Sequence, residues 1–312
     1  MNDDPSARPE LPADSSAERA ALTDRAVAAA RAVALRHGIE TDRTEVLSER
    51  GNVIVHLSPH PLVARVCTLT APTRHDPAAW MRRDVEVSRG AADRGGPVVA
   101  PTRLLDPGPH HHHGLWISYW DHARSSGRIA GSAQVGRSLA ALHRATAGHQ
   151  GRLPVLAPAR EQVAETLDHL AAACDAATVR ALRNEHERVL DTLVPYADLP
   201  QLVLHGDAHA GNLLRVGARW VWADLEETCR GPALWDLAVA SGGPVRAETA
   251  DAVLSVYADD MGTTPVNEAD LVPFRRARLL EAVVWLMAMA QRYPERYCEY
   301  AARLLGELPD GS

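Results

Sequence analysis

Three oxygen-bearing side chains stand at short, fixed intervals in the second half of this chain: Asp207, Asn212 and Asp224. The first two share the loop His205-Gly206-Asp207-Ala208-His209-Ala210-Gly211-Asn212, set between the apolar pairs Val203-Leu204 and Leu213-Leu214. Asp224 closes a second apolar run, Trp220-Val221-Trp222-Ala223. Short apolar runs that end in polar residues read as strands delivering their last residues to one edge. A carboxylate held there can accept the proton of a hydroxyl group. An amide oxygen and a second carboxylate can hold magnesium against the phosphates of a nucleotide. Residue types and spacing together point to phosphoryl transfer.

The elements that must position these residues follow from periodicity and turn chemistry. Residues 23–37 are Ala-rich with helical spacing, and Gly38 is a stop. Residues 45–47, 52–57 and 62–69 read as three short strands, separated by Gly51-Asn52 and Ser58-Pro59-His60-Pro61. Asp76-Pro77 is a helix start, with the helix running to about residue 94. Residues 98–105 and 115–120 read as two further strands. Helices then dominate, at 132–147, 159–174, 176–193, 248–260, 274–292 and 295–307. Two short strand pairs, around Asp207 and Asp224, interrupt them. The expectation is an α+β chain with a β-rich lobe over 21–117, a mainly helical lobe over 118–312, and a cleft between them.

Composition narrows the function classes. The chain has 312 residues, 46% of them apolar, which suffices for a sizeable core. A formal net charge of −7 argues against nucleic acid as a partner and favours cationic ligands. No stretch approaches the roughly 18 apolar residues of a membrane span. Residues 1–20 are acidic and rich in Pro and Ser, without the apolar centre of a signal peptide, and read as a disordered tail on a cytoplasmic protein. The four cysteines show no CxxC spacing and read as reduced thiols. All 33 basic residues are Arg, so any phosphate-contacting cation in the site must be Arg. Oligomeric state is not legible.

The chain resembles the aminoglycoside phosphotransferase / choline kinase family, small-molecule kinases with a protein-kinase-like fold. The resemblance rests on His205-Gly206-Asp207 with Asn212, on Asp224, and on Gly231-Pro232-Ala233-Leu234-Trp235-Asp236-Leu237-Ala238. Together with the order of the lobes it spans roughly residues 20–308. It implies that Asp207 is the catalytic base, that Asn212 and Asp224 hold Mg2+, that His205 and His209 shape the loop, and that Asp236 braces it. It further implies ATP, or GTP, as donor and a small hydroxyl compound as acceptor. Arg65, on the third strand, falls where the family carries a Lys on the α- and β-phosphates; an Arg keeps the charge and adds bidentate geometry. Glu86 on the following helix is the expected ion-pair partner of Arg65, with Asp84 as the second choice. Gly51 and Asn52 offer backbone amides to phosphate, although no GxGxxG is present. Trp116 and Ser118 fall in 115–120, where the family reads adenine; three of the chain's 14 aromatic residues lie in that window.

The acceptor side is less marked. From Arg246 onward 11 Asp and Glu face 7 Arg, and Glu226, Glu227, Glu281, Glu295 and Glu299 are candidates for an acidic cleft. Such a surface suits a cationic antibiotic, an aminoglycoside or a basic peptide. The run His110 to His113 reads as a solvated loop. Two competing classes remain open. One is a metallophosphoesterase, whose separate Gly-Asp and Gly-Asn blocks would here be fused into one loop. The other is a catalytically weak nucleotide-binding regulator with a kinase fold, prompted by Arg65 and the sparse glycine loop.

Overall fold

The computed structural model describes residues 16–49, 51–68, 71–242 and 247–308. Most of the expected tail, together with Arg50 of the expected phosphate loop and Leu69 of the third strand, lies outside the described residues. From Ser16 the chain is already helical, in α1 (Ser16–Arg36).

Five strands form one antiparallel sheet: β1 (Arg43–Ser48), β2 (Val53–Ser58), β3 (Leu62–Cys67), β4 (His110–His112) and β5 (Leu115–Asp121), in the order β1-β2-β3-β5-β4. Side chains alternate between its faces. One face, with Val55, Ala64, Val66, Ile117 and Tyr119, buries itself on Ala26, Ala30 and Val33 of α1. Tyr119 ties the two layers by donating its hydroxyl to the Ala30 carbonyl at 2.7 Å. The register Ile54, Arg65, Ser118 across β2, β3 and β5 sets the other face. The helix α2 (Pro77–Asp93) lies against that face. Its start is fixed by Asp76, whose Oδ1 accepts from the Ala79 amide at 3.0 Å, with Pro77 in the first turn. It buries Trp80, Asp84, Val87, Ser88 and Ala91, a stripe at helical spacing.

Two expectations for this region are corrected. Residues 98–105 do not form a sheet strand. They run as a connection that touches Trp222 through a bridge at Val98 and Trp120 through one at Pro101. Pro97, Pro101 and Pro107 lack the amides a strand ladder requires. The histidine run is not a loop but the edge strand β4, paired with β5. His113 and Gly114 turn the hairpin at φ 48° and 80°, the two left-handed positions of a tight two-residue turn.

The C-terminal part is helical: α3 (Ser132–Thr146), α4 (Val163–Leu170), α5 (Ala176–Leu193), α6 (Leu234–Ser241), α7 (Ala247–Met261), α8 (Glu268–Arg292) and α9 (Pro294–Leu305). Leu139, Leu167, Trp235, Phe274, Leu280 and Val284 are among the residues of its core. A π-helical turn, Pro158–Gln162, precedes α4. α6 was not anticipated, and α8 begins at Glu268 rather than at Phe274, because Asn267 caps it. Two small antiparallel pairs interrupt the helices: β6 (Leu202–Leu204) with β9 (Cys229–Gly231), and β7 (Leu213–Val216) with β8 (Arg219–Trp222). The fold is α+β, sheet-rich first and helical after. The sheet continues through β5 to Asp121, past the 117/118 division drawn from the sequence. Among the described residues no helix is long and apolar enough to cross a membrane.

Candidate active site

The β7–β8 hairpin explains the interval between Asn212 and Asp224. Leu213 pairs with Trp222, and the Ala223 amide donates to the Asn212 carbonyl at 2.9 Å. The two ligand candidates therefore leave the same end of one hairpin. Asp224 takes the left-handed conformation at φ 67°, uncommon for a residue with a side chain but tolerated by Asp. Asp207 arrives from the neighbouring pair, just past β6.

The loop that carries Asp207 is held from below. Asp236 of α6, fully buried, accepts from the His205 amide at 2.7 Å and the Gly206 amide at 3.0 Å. His143 of α3 donates to the same carboxylate at 2.9 Å, and the Tyr257 hydroxyl meets the other His143 nitrogen at 2.7 Å. The Trp235 indole donates to the Gly206 carbonyl at 2.7 Å. His205 bonds the Ala223 carbonyl through Nε2 at 3.1 Å and accepts from the Asp207 amide through Nδ1 at 3.3 Å, so one ring joins both loops. Burial pushes its pKa down, which favours the neutral imidazole this pattern needs. Gly206 has φ 91°, and a Cβ there would lie 2.2 Å from the Glu227 carbonyl oxygen.

Around the Asp207 carboxylate, Asn212 donates Nδ2 to the backbone oxygen at 3.0 Å and to Oδ2 at 3.3 Å. His209 Nε2 lies 3.4 Å from Oδ2 while its Nδ1 accepts from the Gly211 amide. Arg278, from α8, donates to Oδ1 at 2.7 Å. Burial raises the Asp207 carboxyl, but Arg278 and His209 outweigh it and hold it below the usual carboxylate range. Burial lowers His209, yet its bond to Asp207 prevails and raises it.

Arg65 is buried and sits among three acids. It donates to Asp84 at 2.8 Å, reaches Asp224 Oδ1 at 2.6 Å and bonds Glu226. Arg74 also contacts Glu226, at 3.1 Å, with its guanidinium 4.3 Å from the Trp80 ring. The expected partner Glu86 is corrected to Asp84. On α2, Asp84 shares the buried face with Trp80 and Ser88, whereas Glu86, two residues on, is exposed. Burial pushes the Asp84 carboxyl up to about 7 against the pull of Arg65. Glu226 is also corrected: it belongs to this cation cluster and not to an acceptor cleft. Asn52 is buried and donates to Glu226 at 3.4 Å, while Gly51 accepts from Thr68 at its carbonyl.

Between the lobes lies a cavity of about 420 Å³, lined by Ile54, Val63, Trp120, Leu214 and Trp222 with Arg65, Asn212 and Asp224. The stretch 120–123 walls it, not Trp116 and Ser118. Ser118 is buried behind, accepting from the Trp120 indole at 2.9 Å, and Trp116 packs on His111. The physical reason is that β5 runs on to Asp121, so the lobes join beyond it. For a metal, Asn212 retains its carbonyl oxygen and Asp224 its second carboxylate oxygen. Hard oxygen donors of this kind fit magnesium. Among the described residues no three His, Cys, Asp or Glu side chains are grouped to cage an ion, so phosphate and water oxygens must complete the shell.

On the far side of Asp207, Arg278 also bonds Glu227 at 3.2 Å and Glu281 at 2.9 Å, and Gln162 of the π-helical turn donates to Glu281 at 2.6 Å. Burial and the charge of Glu281 push Glu227 well up, and burial raises Glu281. These two acids, expected to line an acidic acceptor cleft, share Arg278 with Asp207. Glu295 and Glu299 instead lie exposed on α9. Sequence reasoning missed Arg278, His143 and Tyr257. Only Arg278 carried a signal, as the residue three before Glu281 on one helix.

The fold and site define a two-lobed phosphotransferase of the kinase-like class. The model of the phosphotransferase enzyme family matches residues 31–269, and the chain belongs to that family. Among solved structures, an amicoumacin kinase bound to AMP-PNP and Ca2+ superposes with TM-score 0.65 at 13% identity, covering 94% of this chain and 96% of that one. A choline kinase from Streptococcus pneumoniae superposes with TM-score 0.63 at 15% identity, covering 89% and 99%. A glucosamine kinase of Mycolicibacterium smegmatis is 36% identical over 98 residues, 30% of this chain. The match spans 24% of that enzyme's length.

Proposed function

We propose that the protein is a Mg2+-dependent O-phosphotransferase that moves the γ-phosphoryl group of ATP, or GTP, to a hydroxyl of a small molecule bearing a cationic amine. The observation that carries this reading is that Asn212 and Asp224 line a cavity of about 420 Å³ together with Arg65, while Asp207 is bonded to Asn212 beside it. Asp207, ionised and fixed by Asn212 and His209, accepts the acceptor's proton. Asn212 and Asp224 hold the metal, which neutralises charge on the phosphates when bound. Arg65, braced by Asp84 and Glu226, faces the phosphates, and Trp120, Val63 and Leu214 enclose the base of the nucleotide. The amine preference is supported by Glu227 and Glu281, two acids beside Asp207 with only Arg278 between them. Choline and glucosamine, named for two of the similar proteins, each pair a hydroxyl with an ammonium or amine.

The regulator reading is favoured by one observation: Arg65 pairs directly with the metal-ligand candidate Asp224. One experiment separates the two readings. Melting temperature is measured with ATP and with GTP, each with and without Mg2+, for the wild type and Asp224→Ala. A ligand that binds only the folded state raises the midpoint. The enzyme reading predicts a rise that needs Mg2+ and disappears in Asp224→Ala. A rise indifferent to Mg2+ and to that substitution favours the regulator, and no rise at millimolar nucleotide contradicts both.

A further inference from the structure

The environment of Arg278 is more specific than an anchor for α8 requires. Its Nη1 bonds Glu227 and Glu281, and its Nη2 bonds the base itself. The guanidinium is fixed by three acids, lies 5.7 Å from the Trp235 ring, and still has 20% of its side chain exposed. Nη2 carries two hydrogens, and only one contact of that nitrogen is made among the described residues. A cation pressed against a base lowers its proton affinity, which by itself works against proton acceptance. It becomes intelligible if positive charge is needed there more than base strength. Phosphoryl transfer has that requirement, because its loose transition state draws little on the base and spreads charge over three equatorial oxygens. Arg65, which is buried, lies on the Asp224 side of the site. Arg278 lies on the Asp207 side, against the carboxylate that would receive the acceptor's proton.

Resting on the kinase reading above, we propose that Arg278 is a catalytic cation: one Nη2 hydrogen holds Asp207 and the other meets the phosphoryl group as it reaches the acceptor oxygen. In that step the bond from the γ-phosphorus to its bridging oxygen breaks and the bond from the acceptor oxygen to phosphorus forms. The acceptor proton goes to Asp207, and nucleoside diphosphate leaves. Glu227 and Glu281 are positioning residues that keep the guanidinium from swinging away.

The test separates ground-state from transition-state binding without knowing the acceptor. Melting shifts are measured for wild type, Arg278→Met and Arg278→Lys with MgADP alone and with MgADP plus aluminium fluoride, which mimics the phosphoryl group in flight. Acceptor-independent hydrolysis of ATP is followed alongside. The variants are expected to keep the MgADP shift, to lose the increment that fluoride adds, and to hydrolyse ATP about 10³-fold more slowly. If Arg278→Met does not fold, Arg278→Lys, shorter in reach and without the planar fork, carries the test with the same expectation. A fluoride increment retained in the variants overturns the proposal. So does a wild type that binds MgADP but gains nothing from fluoride. A wild type with no MgADP shift at all removes the kinase reading itself.

Discussion

Asp207 has both carboxylate oxygens engaged, by Arg278 on one side and by Asn212 and His209 on the other. Its orientation is therefore set before any substrate arrives. Asp207→Asn is expected to lower turnover by about 10²–10⁴-fold, the range of a positioned general base, while the MgADP melting shift is kept. Turnover and melting shift measured on the same preparation decide this. The pH dependence belongs to a different residue. With its pKa held down, Asp207 contributes no acid limb above the ordinary carboxylate range. Glu227, pushed well up, does contribute one. Binding of an amine acceptor is expected to strengthen as pH rises above the ordinary Glu value of 4.5 and Glu227 ionises. In Glu227→Gln that limb should vanish, read from kcat/KM against pH. Stability runs the opposite way. A carboxyl whose pKa is raised by folding contributes fully below its unfolded pKa and loses that contribution as pH rises through the folded one. The melting temperature of Glu227→Gln relative to wild type should therefore improve with pH over the same window; a flat difference contradicts the assignment. Neighbouring acids differ as much as distant ones here: Glu226 turns to Arg65 and Arg74, Glu227 to Arg278.

Among the elements, α2 shows what a sequence does and does not reveal. The interval from Arg65 favoured Glu86, but helical phase decides, and Trp80, Asp84, Ser88 and Ala91 share one face. That stripe was legible and would have selected Asp84. Asp84→Ala is expected to cost about 1–3 kcal/mol through the lost bond to a buried cation. Glu86→Ala should stay within about 0.5 kcal/mol, as exposed positions do. Thermal denaturation of both variants checks the pair, and equal losses contradict the assignment. The catalytic loop was legible because its residue types recur at fixed spacing, yet its support was not. His143 and Tyr257 reach Asp236 from helices distant in sequence, and nothing local marks them. Gly206 belongs to the same scale. Its left-handed φ and the 2.2 Å approach to Glu227 leave no room for a methyl group. Gly206→Ala is expected to displace the loop and cost about 1–3 kcal/mol in strain, with turnover lost beyond what the stability change explains. In 98–105 the apolar pattern suggested a strand, but Pro101 within it and Pro97 and Pro107 beside it break the ladder. The histidine run carries no apolar pattern, and the turn at His113-Gly114 is what folds it onto β5.

At the scale of the molecule, the cleft is where the two lobes are already bonded to each other. Arg65 of β3 and Arg74 both meet Glu226 from the other lobe, and Asn52 adds a bond to the same acid. Two arginines and three acids thus stand where a single Arg65–Glu86 pair was expected, in a chain whose 33 basic residues are all Arg. With a formal charge of −7, the whole surface also attracts cations. The KM for a cationic acceptor is accordingly expected to rise with ionic strength, while the KM for an uncharged acceptor analogue stays level. Initial rates over a salt series test this.

The most direct measurement of the central claim is transfer of labelled γ-phosphoryl from ATP, with Mg2+, to a panel of amine-bearing alcohols by wild type and Asp207→Asn. The account predicts label in at least one acceptor, dependent on Mg2+ and about 10²–10⁴-fold slower in the variant. Equal transfer by the two proteins, or none by a wild type that binds MgATP, contradicts it.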